Sequence, residues 1–219
     1  MKIVLISDTH CKWNRITIPE CDLLISAGDY SFRGEEHVVR DFHKWLSKQP
    51  AKHIISVQGN HELGVERNFA FCKQIAEKAC PGVHFIDEGP IEIEGKKIWC
   101  SAITPFFCNW AWNRYPGEEI QKHWDRIPDG MDIIVTHGPC KDILDGIPEF
   151  NRLTGQLESR HVGCPQLLKR VLEVKPKLHV GGHIHEGYGT HTQDGIVFVN
   201  ASICNAYYKP TNKPIIFEI

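Results

Sequence analysis

Five short apolar runs in this chain are each followed by a cluster of acidic, amide or histidine side chains. The runs are Lys2–Ile6, Asp22–Ser26, His53–Val57, Met131–Thr136 and Leu178–Gly181. Their length and their content of Ile, Val and Leu are typical of buried β-strands. Polar residues that follow such strands collect at the carboxyl edge of a sheet, where α/β proteins place their functional sites. The pattern therefore predicts an α/β fold with one site assembled from distant parts of the chain.

Amphipathic patterns separate these runs. They predict helices over Glu35–Lys48, Asn68–Ala79 and Val162–Val174. Two further stretches, Val83–Ser101 and Gly187–Ile219, have the character of antiparallel meanders with Gly-containing turns. Strands that alternate with helices, together with hairpins, indicate an α/β protein with mixed sheets. No repeat, charge block or linker divides the sequence, so we expect one domain over residues 1–219.

The overall composition argues against several classes of protein. The formal net charge is −2 and the sequence pI is about 6.7, so we expect no dedicated nucleic-acid surface. The longest apolar runs are far too short to cross a bilayer, and the N-terminal residues lack the pattern of a signal peptide. These features predict a cytoplasmic protein without membrane attachment, and they identify no protein partner.

Nine cysteines are scattered along the chain without the paired spacing of a zinc finger. An odd number at irregular spacing favours reduced thiols that serve as small apolar side chains in a cytosolic protein. Cys140 lies close in sequence to His137. We therefore expect Cys140 to be the thiol most open to oxidation or adventitious metal binding.

Asp8-Thr-His10 is the first polar motif. On its own it carries little information, because roughly 0.7 such triplets are expected by chance in a chain of this composition. A second triplet occurs at Asp41-Phe-His43. Asp8 and His10 follow a strand, where residues two apart share a face, whereas the second triplet lies within a predicted helix. We interpret the first pair as site residues, and Asp41 and His43 as solvated helix residues.

Gly59-Asn60-His61 is much rarer, with roughly 0.04 occurrences expected by chance. Asn60 offers a neutral oxygen to a metal ion, and His61 offers either a metal ligand or a proton. An ordinary turn is the equally weighted alternative, since Gly and Asn often follow strands. Asp29 follows the second apolar run. Because a carboxylate can bridge two cations through its two oxygens, Asp29 is the natural shared ligand.

His137 follows the fourth apolar run, and His183 and His185 follow the fifth. Two histidines at i and i+2 of an extended strand end point to the same side. The five motifs together supply enough nitrogen and oxygen ligands for two metal ions, and sites with two metals attack phosphate esters. Asp, Asn and His ligands without thiolate suit Mn²⁺, Fe, Zn²⁺ or Mg²⁺, of which we favour Mn²⁺.

The order of these motifs resembles that of the calcineurin-like metallophosphoesterase superfamily, which is D-x-H, G-D, G-N-H-[DE], a single H and G-H-x-H. The resemblance runs from residue 3 to about residue 200. Segments similar to the metallophosphoesterase-domain-containing branch are Thr104–Trp112, Thr136–Pro139, His161–Cys164, Gly182–Gly189 and Asn212–Phe217. The resemblance implies a four-layer α/β/β/α sandwich, with two mixed β-sheets flanked by helices.

The resemblance also assigns roles to the motif residues. It implies that one metal ion is held by Asp8, His10, Asp29 and His185, and the other by Asp29, Asn60, His137 and His183. Asp29 is then shared, and no ligand position is substituted. Glu62 stands where Asp is commoner in the family, and we expect it to hydrogen-bond His61.

Such a site predicts a metal-dependent phosphoric ester hydrolase. Two cations would polarise the phosphoryl oxygens and lower the pKa of a bridging water, and the resulting hydroxide would attack phosphorus. His61 has no required place among the ligands, so we assign it as the general acid for the leaving alkoxide. Similarity to the branch implies a phosphodiesterase acting on a small phosphodiester such as a 2′,3′- or 3′,5′-cyclic nucleotide.

Other functions stay open at this point. A phosphomonoesterase or phosphoprotein phosphatase would use the same metal ions. A nuclease is disfavoured because no basic stripe accompanies the site. A metal-binding scaffold protein with little catalysis belongs to a different class, and the complete ligand set and His61 argue against it.

Substrate contacts are expected from three residues outside the metal motifs. Trp110 belongs to an aromatic segment whose other rings are Phe106, Phe107, Trp112 and Tyr115. These rings could form a stacking platform for a nucleobase, although packing on the core as a hydrophobic lid is the favoured interpretation. Arg33 could bind a phosphate through two hydrogen bonds or be a solvated surface residue. His161 lines the pocket by resemblance to the branch, whereas the sequence alone favours a helix start.

Overall fold

The computed structural model describes residues 1–151 and 155–219. Its strands are β1 (Lys2–Ile6), β2 (Cys21–Ala27), β3 (Ala51–Val57), β4 (His84–Ile86), β5 (Glu88–Ile93), β6 (Lys96–Ser101), β7 (Thr104–Pro105), β8 (Asn113–Arg114), β9 (Ile133–Thr136), β10 (Gly146–Asn151), β11 (Gln156–His161), β12 (Leu178–Gly181), β13 (Gly189–Gln193), β14 (Ile196–Asn200) and β15 (Ile215–Glu218). Its α-helices are α1 (Glu36–Leu46), α2 (Leu63–Arg67), α3 (Phe69–Ala79), α4 (Glu118–Trp124) and α5 (Pro165–Val174). Within the described ranges, no helix is long and apolar enough to span a membrane.

The first large sheet has the strand order β15-β1-β2-β3-β4. Strands β1 to β4 run parallel, whereas β15 pairs antiparallel with β1 at one edge. Parallel strands need cover on both faces, which explains why they are continuous apolar runs rather than alternating ones. In β1, for example, Ile3, Val4, Leu5 and Ile6 are all fully buried.

The second large sheet has the strand order β13-β14-β12-β9-β6-β5. Its four central strands are parallel, and antiparallel hairpins close both edges, with β13 on β14 and β5 on β6. Both large sheets are therefore mixed, and the predicted α/β fold with mixed sheets is confirmed.

Alternation along the strands separates a core between the two sheets from the cores beneath the helices. Ile3 of β1 packs in the core between the sheets, together with Val180 of β12. The next residue, Val4, faces the other way and shares a core with Phe42 of α1. On the second sheet, Ile134 of β9 faces away from the first sheet and shares a core with buried residues of α4 and α5. This packing is consistent with the predicted four-layer α/β/β/α sandwich.

Three helices lie where the sequence predicts them, with shifts at their ends. The third begins at Pro165 rather than at Val162. The backbone N–H groups of Val162 and Gly163 donate to Asp145, and that of Cys164 donates to a carbonyl in the loop after β9. Those three residues are therefore committed to other contacts, and the helix starts with proline in its first position. The short helices α2 and α4 were not predicted.

The two predicted antiparallel meanders are wrong in one respect, because each is divided between the sheets. β5 and β6 form a hairpin of the second sheet, but β4 pairs parallel with β3 in the first. Likewise β13 and β14 form a hairpin, whereas β15 crosses to β1. Apolar patterning indicates a strand without identifying its partner, since the partner depends on crossovers elsewhere in the chain.

His43 is not solvated, contrary to the prediction, but fully buried in α1. Its Nδ1 lies 2.7 Å from the carbonyl oxygen of Val39, and its Nε2 lies 3.1 Å from Oγ of Ser56. Both ring nitrogens have partners, so this imidazole is a satisfied core residue. Asp41 is exposed on the same helix, as expected.

Strands β10 and β11 form a two-stranded ribbon outside both large sheets. The residues of β11 are all exposed, so the strand lacks the apolar alternation that makes a strand visible in a sequence. The ribbon begins directly after Asp145 and ends at His161. It therefore brings two residues that are 16 positions apart back to one place.

Candidate metal centre and active site

Five strands end around one point between the two sheets. Strands β1, β2 and β3 lead to Asp8, Asp29 and Asn60, and strands β9 and β12 lead to His137 and His183. The first four of these residues are at most 3% exposed. The structure therefore brings together the polar motifs that the sequence places after the apolar runs.

Tight backbone turns direct these side chains inward. Asp8, His10, Asp29 and His183 have φ angles of 52°, 39°, 54° and 67°. This left-handed region is unfavourable for residues other than glycine, and proteins retain such strain mainly at functional sites. Residues of ordinary hairpin turns, such as Glu94 and Asp194, adopt the same region, so the convergence of the side chains marks these turns as functional rather than the strain alone.

Glycines allow the loops to approach one another closely. A Cβ atom added to Gly59 would lie 2.3 Å from Oδ1 of Asp29, and one added to Gly182 would lie 2.1 Å from Oδ2 of Asp8. Both distances are far shorter than van der Waals contact. A larger residue at either position would therefore displace a carboxylate, which explains the glycine in each motif.

Asp8, His10 and His185 form a first cluster of metal-ligand atoms. Nε2 of His185 lies 3.5 Å from Oδ1 of Asp8 and 3.2 Å from Nε2 of His10. The other oxygen of Asp8 accepts hydrogen bonds from the backbone of His183 (2.9 Å) and from Ser202 Oγ (2.8 Å). Oδ1 itself is buried without a hydrogen-bond partner in the described part of the chain. A buried carboxylate oxygen without a donor is costly, and a cation would satisfy it.

Asp29, His137 and His183 form a second cluster, whose ligand atoms lie within 4.8 Å of one another. Oδ2 of Asp29 lies 3.3 Å from Nε2 of His137. Oδ1 of Asn60 lies 2.8 Å from the same nitrogen. The rings of His137 and His183 have their centroids 5.1 Å apart. The second cluster thus also gathers imidazole nitrogens and oxygens around one point.

Asp29 connects the two clusters. Its Oδ2 lies 3.9 Å from Nε2 of His10 in the first cluster, and 3.9 Å from Nε2 of His61. Its Oδ1 accepts a hydrogen bond of 2.9 Å from the backbone N–H of His61. Oδ2 therefore lies between imidazoles of both clusters, which is the position that a shared ligand requires.

Backbone carbonyl groups fix the orientation of three imidazoles. Nδ1 of His10, His137 and His185 lies 3.2, 2.8 and 2.9 Å from the carbonyl oxygens of Ser31, Ala27 and Asn205, respectively. A carbonyl oxygen only accepts hydrogen bonds, so Nδ1 carries a proton, and in the neutral form of the ring Nε2 presents its lone pair to the centre. This arrangement is typical of histidines that bind metal ions.

The two buried carboxylates dominate the electrostatics. Burial alone would raise the pKa of Asp29, but His137 outweighs this effect and holds that pKa well below its ordinary value. In the same way His185 and neighbouring imidazoles lower the pKa of Asp8 against desolvation. For His137, burial lowers the pKa, while Asp29 and Asp8 raise it to about 10. Two negative charges in the interior require positive charge close by.

His61 borders the site and is largely enclosed by aromatic rings. Its Nδ1 lies 3.1 Å from the carbonyl oxygen of Phe32. Its ring stacks on Trp110 with centroids 4.3 Å apart, and meets the ring of His10 edge-on at 4.9 Å. The side chain is 13% exposed. His61 is therefore held in one orientation yet accessible to a substrate.

Glu62 supports Asp29 rather than His61, which corrects the prediction. No hydrogen bond joins Glu62 to His61 within the described ranges. The buried Glu62 carboxylate instead accepts hydrogen bonds of 2.8–3.0 Å from the backbone N–H groups of Asp29, Ser31 and Gly59, and from the Ser31 hydroxyl. Burial, and then the charge of Asp29, raise the pKa of Glu62, while the Ser31 donors oppose the rise. Glu62 thus ties the loop after β2 to the loop after β3.

Two polar residues that support Asp8 were not predicted as site residues from the sequence. Ser202 donates to Oδ2 of Asp8, and its own backbone N–H donates to Asn200 Oδ1 at 3.1 Å. The Asn200 side chain also donates to the carbonyl of Ile184 at 2.8 Å. Asn200 is the last residue of β14 and Ser202 follows that strand, so a polar Asn-Ala-Ser segment at a strand end is the signal that could have revealed them.

A cavity of about 620 Å³ opens onto the clusters. Five of its lining residues belong to the metal motifs: Asp29, Asn60, His61, His183 and His185. Its other walls include Phe106, Phe107, Trp110, Ile147, Arg160, His161 and Tyr208. The volume is in the range of small-molecule sites.

Two of the three predicted substrate residues line this cavity. Trp110 and His161 do so, but His161 is the last residue of β11 and does not start a helix. Arg33 is exposed and is not among the lining residues that the structure describes. Its guanidinium carbon instead lies 5.9 Å from the centre of the Trp110 ring. The geometry therefore does not favour Arg33 as a phosphate ligand.

The aromatic segment divides between the two interpretations. Trp112 is 5% exposed and packs in the core. Phe107 and Tyr115 are each 59% exposed, and Phe106 stacks on Tyr115 with centroids 4.6 Å apart. Neither a lid on the core nor a platform describes all of these rings.

Cys140 is not the most accessible thiol. It is fully buried, with Sγ 4.0 Å from the ring nitrogens of His179 rather than beside His137. Burial raises the pKa of the Cys140 thiol well above its ordinary value, which makes it unreactive. Cys108 is exposed instead.

The fold and the two clusters define a metal-dependent phosphoesterase. Residues 1–187 match the calcineurin-like phosphoesterase family, and the chain belongs to that family. Over its whole length the chain is 32% identical to metallophosphoesterase domain-containing protein 1 of Homo sapiens, of which it covers 71%. It is also 31% identical over its whole length to UPF0046 protein C25E10.12 of Caenorhabditis elegans, of which it covers 81%.

Among solved structures, the chain is similar to the phosphopantetheinyl hydrolase of Mycobacterium tuberculosis. The TM-score is 0.60 at 16% identity, covering 98% of this chain and 95% of the other. At this identity the likeness shows the fold alone. Membership of the family implies divalent metal ions and hydrolysis of a phosphoester, and the two clusters offer ligand atoms for such ions.

Proposed function

We propose that the protein is a binuclear metal-dependent phosphodiesterase that hydrolyses a small phosphodiester such as a 2′,3′- or 3′,5′-cyclic nucleotide. The observation that carries the proposal is the position of Asp29 Oδ2 between imidazoles of two ligand clusters. Asp29 would be shared. One ion would also be held by Asp8, His10 and His185, and the other by Asn60, His137 and His183.

The donor atoms fit divalent ions of intermediate hardness. They are imidazole nitrogens and carboxylate or amide oxygens without a thiolate, which favours Mn²⁺, with Fe, Zn²⁺ or Mg²⁺ as alternatives. Oδ1 of Asp8, which is buried and has no hydrogen-bond partner among the residues that the structure describes, supports the fit. When bound, two such ions polarise the phosphoryl group and lower the pKa of an attacking water.

His61 is the proposed general acid for the leaving alkoxide. Its Nδ1 is engaged by the carbonyl of Phe32, so an imidazolium carries its second proton on Nε2. That nitrogen lies 3.9 Å from Asp29 Oδ2 and therefore faces the site. General acid catalysis is typically worth about 10²–10⁴-fold, and it matters most when the leaving group is poor.

The cavity supports a diester as substrate. Its volume of about 620 Å³ exceeds what a phosphate group alone occupies. Phe106, Phe107 and Trp110 offer aromatic contacts to an organic substituent. The net charge of −2 disfavours a long nucleic acid, which binds basic surfaces. A small phosphoester, for example a nucleotide, fits both observations.

A substrate panel tests the proposed function. Protein loaded with Mn²⁺ is assayed on bis(4-nitrophenyl) phosphate, 4-nitrophenyl phosphate, and 2′,3′- and 3′,5′-cyclic AMP. We expect faster cleavage of the diesters than of the monoester. A strong preference for 4-nitrophenyl phosphate would indicate a phosphomonoesterase. Two bound ions by elemental analysis without any turnover would indicate a metal-binding scaffold protein.

The His61→Ala variant tests the assigned acid. We expect a loss of about 10²–10⁴-fold on a cyclic nucleotide and a much smaller loss on nitrophenyl esters, whose leaving groups need no proton. His191→Ala, which changes an exposed histidine of β13, is the matched control. Equal losses on both kinds of ester would count against this role.

A further inference from the structure

One wall of the cavity carries an imidazole–carboxylate pair that the proposed mechanism does not use. Nδ1 of His161 lies 2.6 Å from Oδ1 of Asp145, at the end of the β10–β11 ribbon. Asp145 is fully buried. Its Oδ2 accepts hydrogen bonds from the backbone N–H groups of Asp142 (3.0 Å) and Gly163 (2.7 Å).

These contacts place the proton of the imidazole. The Asp145 carboxylate can only accept hydrogen bonds, so the short contact is a charge-assisted bond donated by Nδ1–H of His161. In a neutral ring, Nε2 then keeps its lone pair. Within residues 1–151 and 155–219, the structure shows no hydrogen-bond partner for that nitrogen. His161 nevertheless lines the cavity, and its side chain is 42% exposed.

A purely structural histidine would be arranged differently. His43 is such a residue, since it is fully buried and both of its nitrogens have protein partners. At His161, by contrast, a buried carboxylate fixes a ring whose other nitrogen is left available in a cavity. Burial of a carboxylate is unfavourable. The buried position of Asp145 has a functional reason if a ligand binds to the imidazole nitrogen that Asp145 orients.

We propose that His161, positioned by Asp145, forms a hydrogen-bonding subsite for the organic part of the phosphoester, where Nε2 accepts a hydrogen bond from a substrate hydroxyl group. The inference rests on the proposed function, because it requires the phosphate to bind at the metal clusters. Such a subsite would favour phosphoesters whose alcohol carries further hydroxyl groups, such as sugars, over simple alkyl or aryl esters.

Two amide variants separate a ligand contact from a structural role. In His161→Gln the amide takes the place of Nε2, whereas in His161→Asn it takes the place of Nδ1 and keeps the contact with Asp145. The affinity of metal-loaded protein for ribose 5-phosphate is compared with that for inorganic phosphate by calorimetric titration. We expect the ratio to fall about 3- to 10-fold in the Asn variant, the range of one hydrogen bond. It should stay within about 2-fold in the Gln variant, and phosphate affinity should be unchanged in both.

Asp145→Asn moves the imidazole proton of His161 while leaving the ring in place. The amide oxygen of the new side chain can accept from the two backbone N–H groups, and its NH₂ can donate to Nδ1 of His161. The imidazole proton then moves to Nε2, which becomes a donor instead of an acceptor. A hydroxyl group can accept from Nε2–H as well as donate to Nε2, so we expect the ribose 5-phosphate affinity to stay within about 2-fold of the wild-type value. His191→Gln serves as the control.

The outcomes distinguish the subsite from the proposed function. If the Gln variant loses as much affinity as the Asn variant, or if no variant changes the ratio, the subsite is overturned while the phosphoesterase stands. If metal-loaded wild-type protein binds neither ligand and cleaves no phosphoester, the proposed function fails, and the subsite fails with it.

Discussion

The two sides of the cavity are built in opposite ways. On the cluster side, Asp8 and Asp29 are 0% and 2% exposed and follow strands β1 and β2 of the first large sheet. On the other side, Phe107 is 59% exposed in an irregular segment, and Arg160 is exposed on the β10–β11 ribbon outside both large sheets. Buried hydrogen bonds fix the residues of the first side, whereas Phe107 and Arg160 on the second side face solvent.

This difference separates chemistry from recognition. Groups that act on phosphorus must be held to within a fraction of an ångström, and buried strand ends provide that rigidity. Residues that select a substrate can be substituted with less damage to activity, and loops and ribbons commonly carry them. We therefore expect substitutions on the cluster side to abolish activity and those on the walls to tune it.

The largest effect is expected for Asp29→Asn. The amide removes the negative charge between the two clusters and keeps only one oxygen, so the two proposed ions lose their shared anionic ligand. We expect kcat/KM to fall by roughly 10³-fold or more and the bound metal to fall well below two ions per chain. Kinetics and elemental analysis measure the two effects. The control is Asp41→Asn, at an exposed residue of α1. If Asp29→Asn retains both ions and near-normal activity, Asp29 is not a shared ligand.

A somewhat smaller effect is expected for Glu62→Gln. The amide can accept at only one oxygen, and its NH₂ would face backbone N–H groups that now donate to the carboxylate. We expect the free energy of unfolding to fall by about 2–4 kcal/mol, and kcat by about 10–100-fold through misplacement of Asp29. Urea denaturation measures the first value. The control is Glu77→Gln, on the exposed face of α3. Unchanged stability would mean that Glu62 does not hold the two loops together.

Trp110→Ala should have an intermediate effect. It removes the ring that stacks on His61 without touching a cluster residue, and aromatic stacking is worth about 0.5–1.5 kcal/mol. We expect kcat/KM on a cyclic nucleotide to fall about 2- to 12-fold with normal metal content. Tyr207→Ala, at a residue that is 82% exposed, is the control. A loss of bound metal would show that Trp110 also supports the metal-ligand clusters.

The smallest effect is expected for Leu157→Ser on the ribbon. Leu157 lies opposite Phe150 in the register of β10 and β11, and both side chains are exposed. We expect the free energy of unfolding to change by less than about 0.5 kcal/mol and kcat/KM by less than about 2-fold. A tenfold loss of activity would show that the ribbon tip contributes to catalysis, and the contrast between the two sides would then be too simple.

The same contrast explains what could be predicted from the sequence. Apolar runs and helical periodicity are local signals, and they located the central strands, three helices and the motif residues after the strands. The division of His183 and His185 between different clusters agrees with the resemblance, although their roles as ligands stay predictions until metal binding is measured.

Other features depend on contacts between distant segments. The role of Glu62 became visible only once the loops after β2 and β3 were adjacent, and Asp145 is paired with His161 only through the ribbon. Strand β11 of the ribbon gives no periodic signal because its side chains are all exposed. Residues of this kind act through tertiary contacts, and local patterns do not report such contacts.

The contacts of Asp8 also set the time at which the site can form. Its carboxylate is held by groups from His183 and Ser202, which follow it by 175 and 194 residues. At about 5–20 residues per second, a ribosome needs roughly 10–40 s to make the chain between Asp8 and Ser202. Throughout that interval the N-terminal carboxylates are without these partners. Formation of the complete first cluster is therefore expected to follow translation of Ser202, which makes the site a late product of synthesis although its first ligand is among the first residues made.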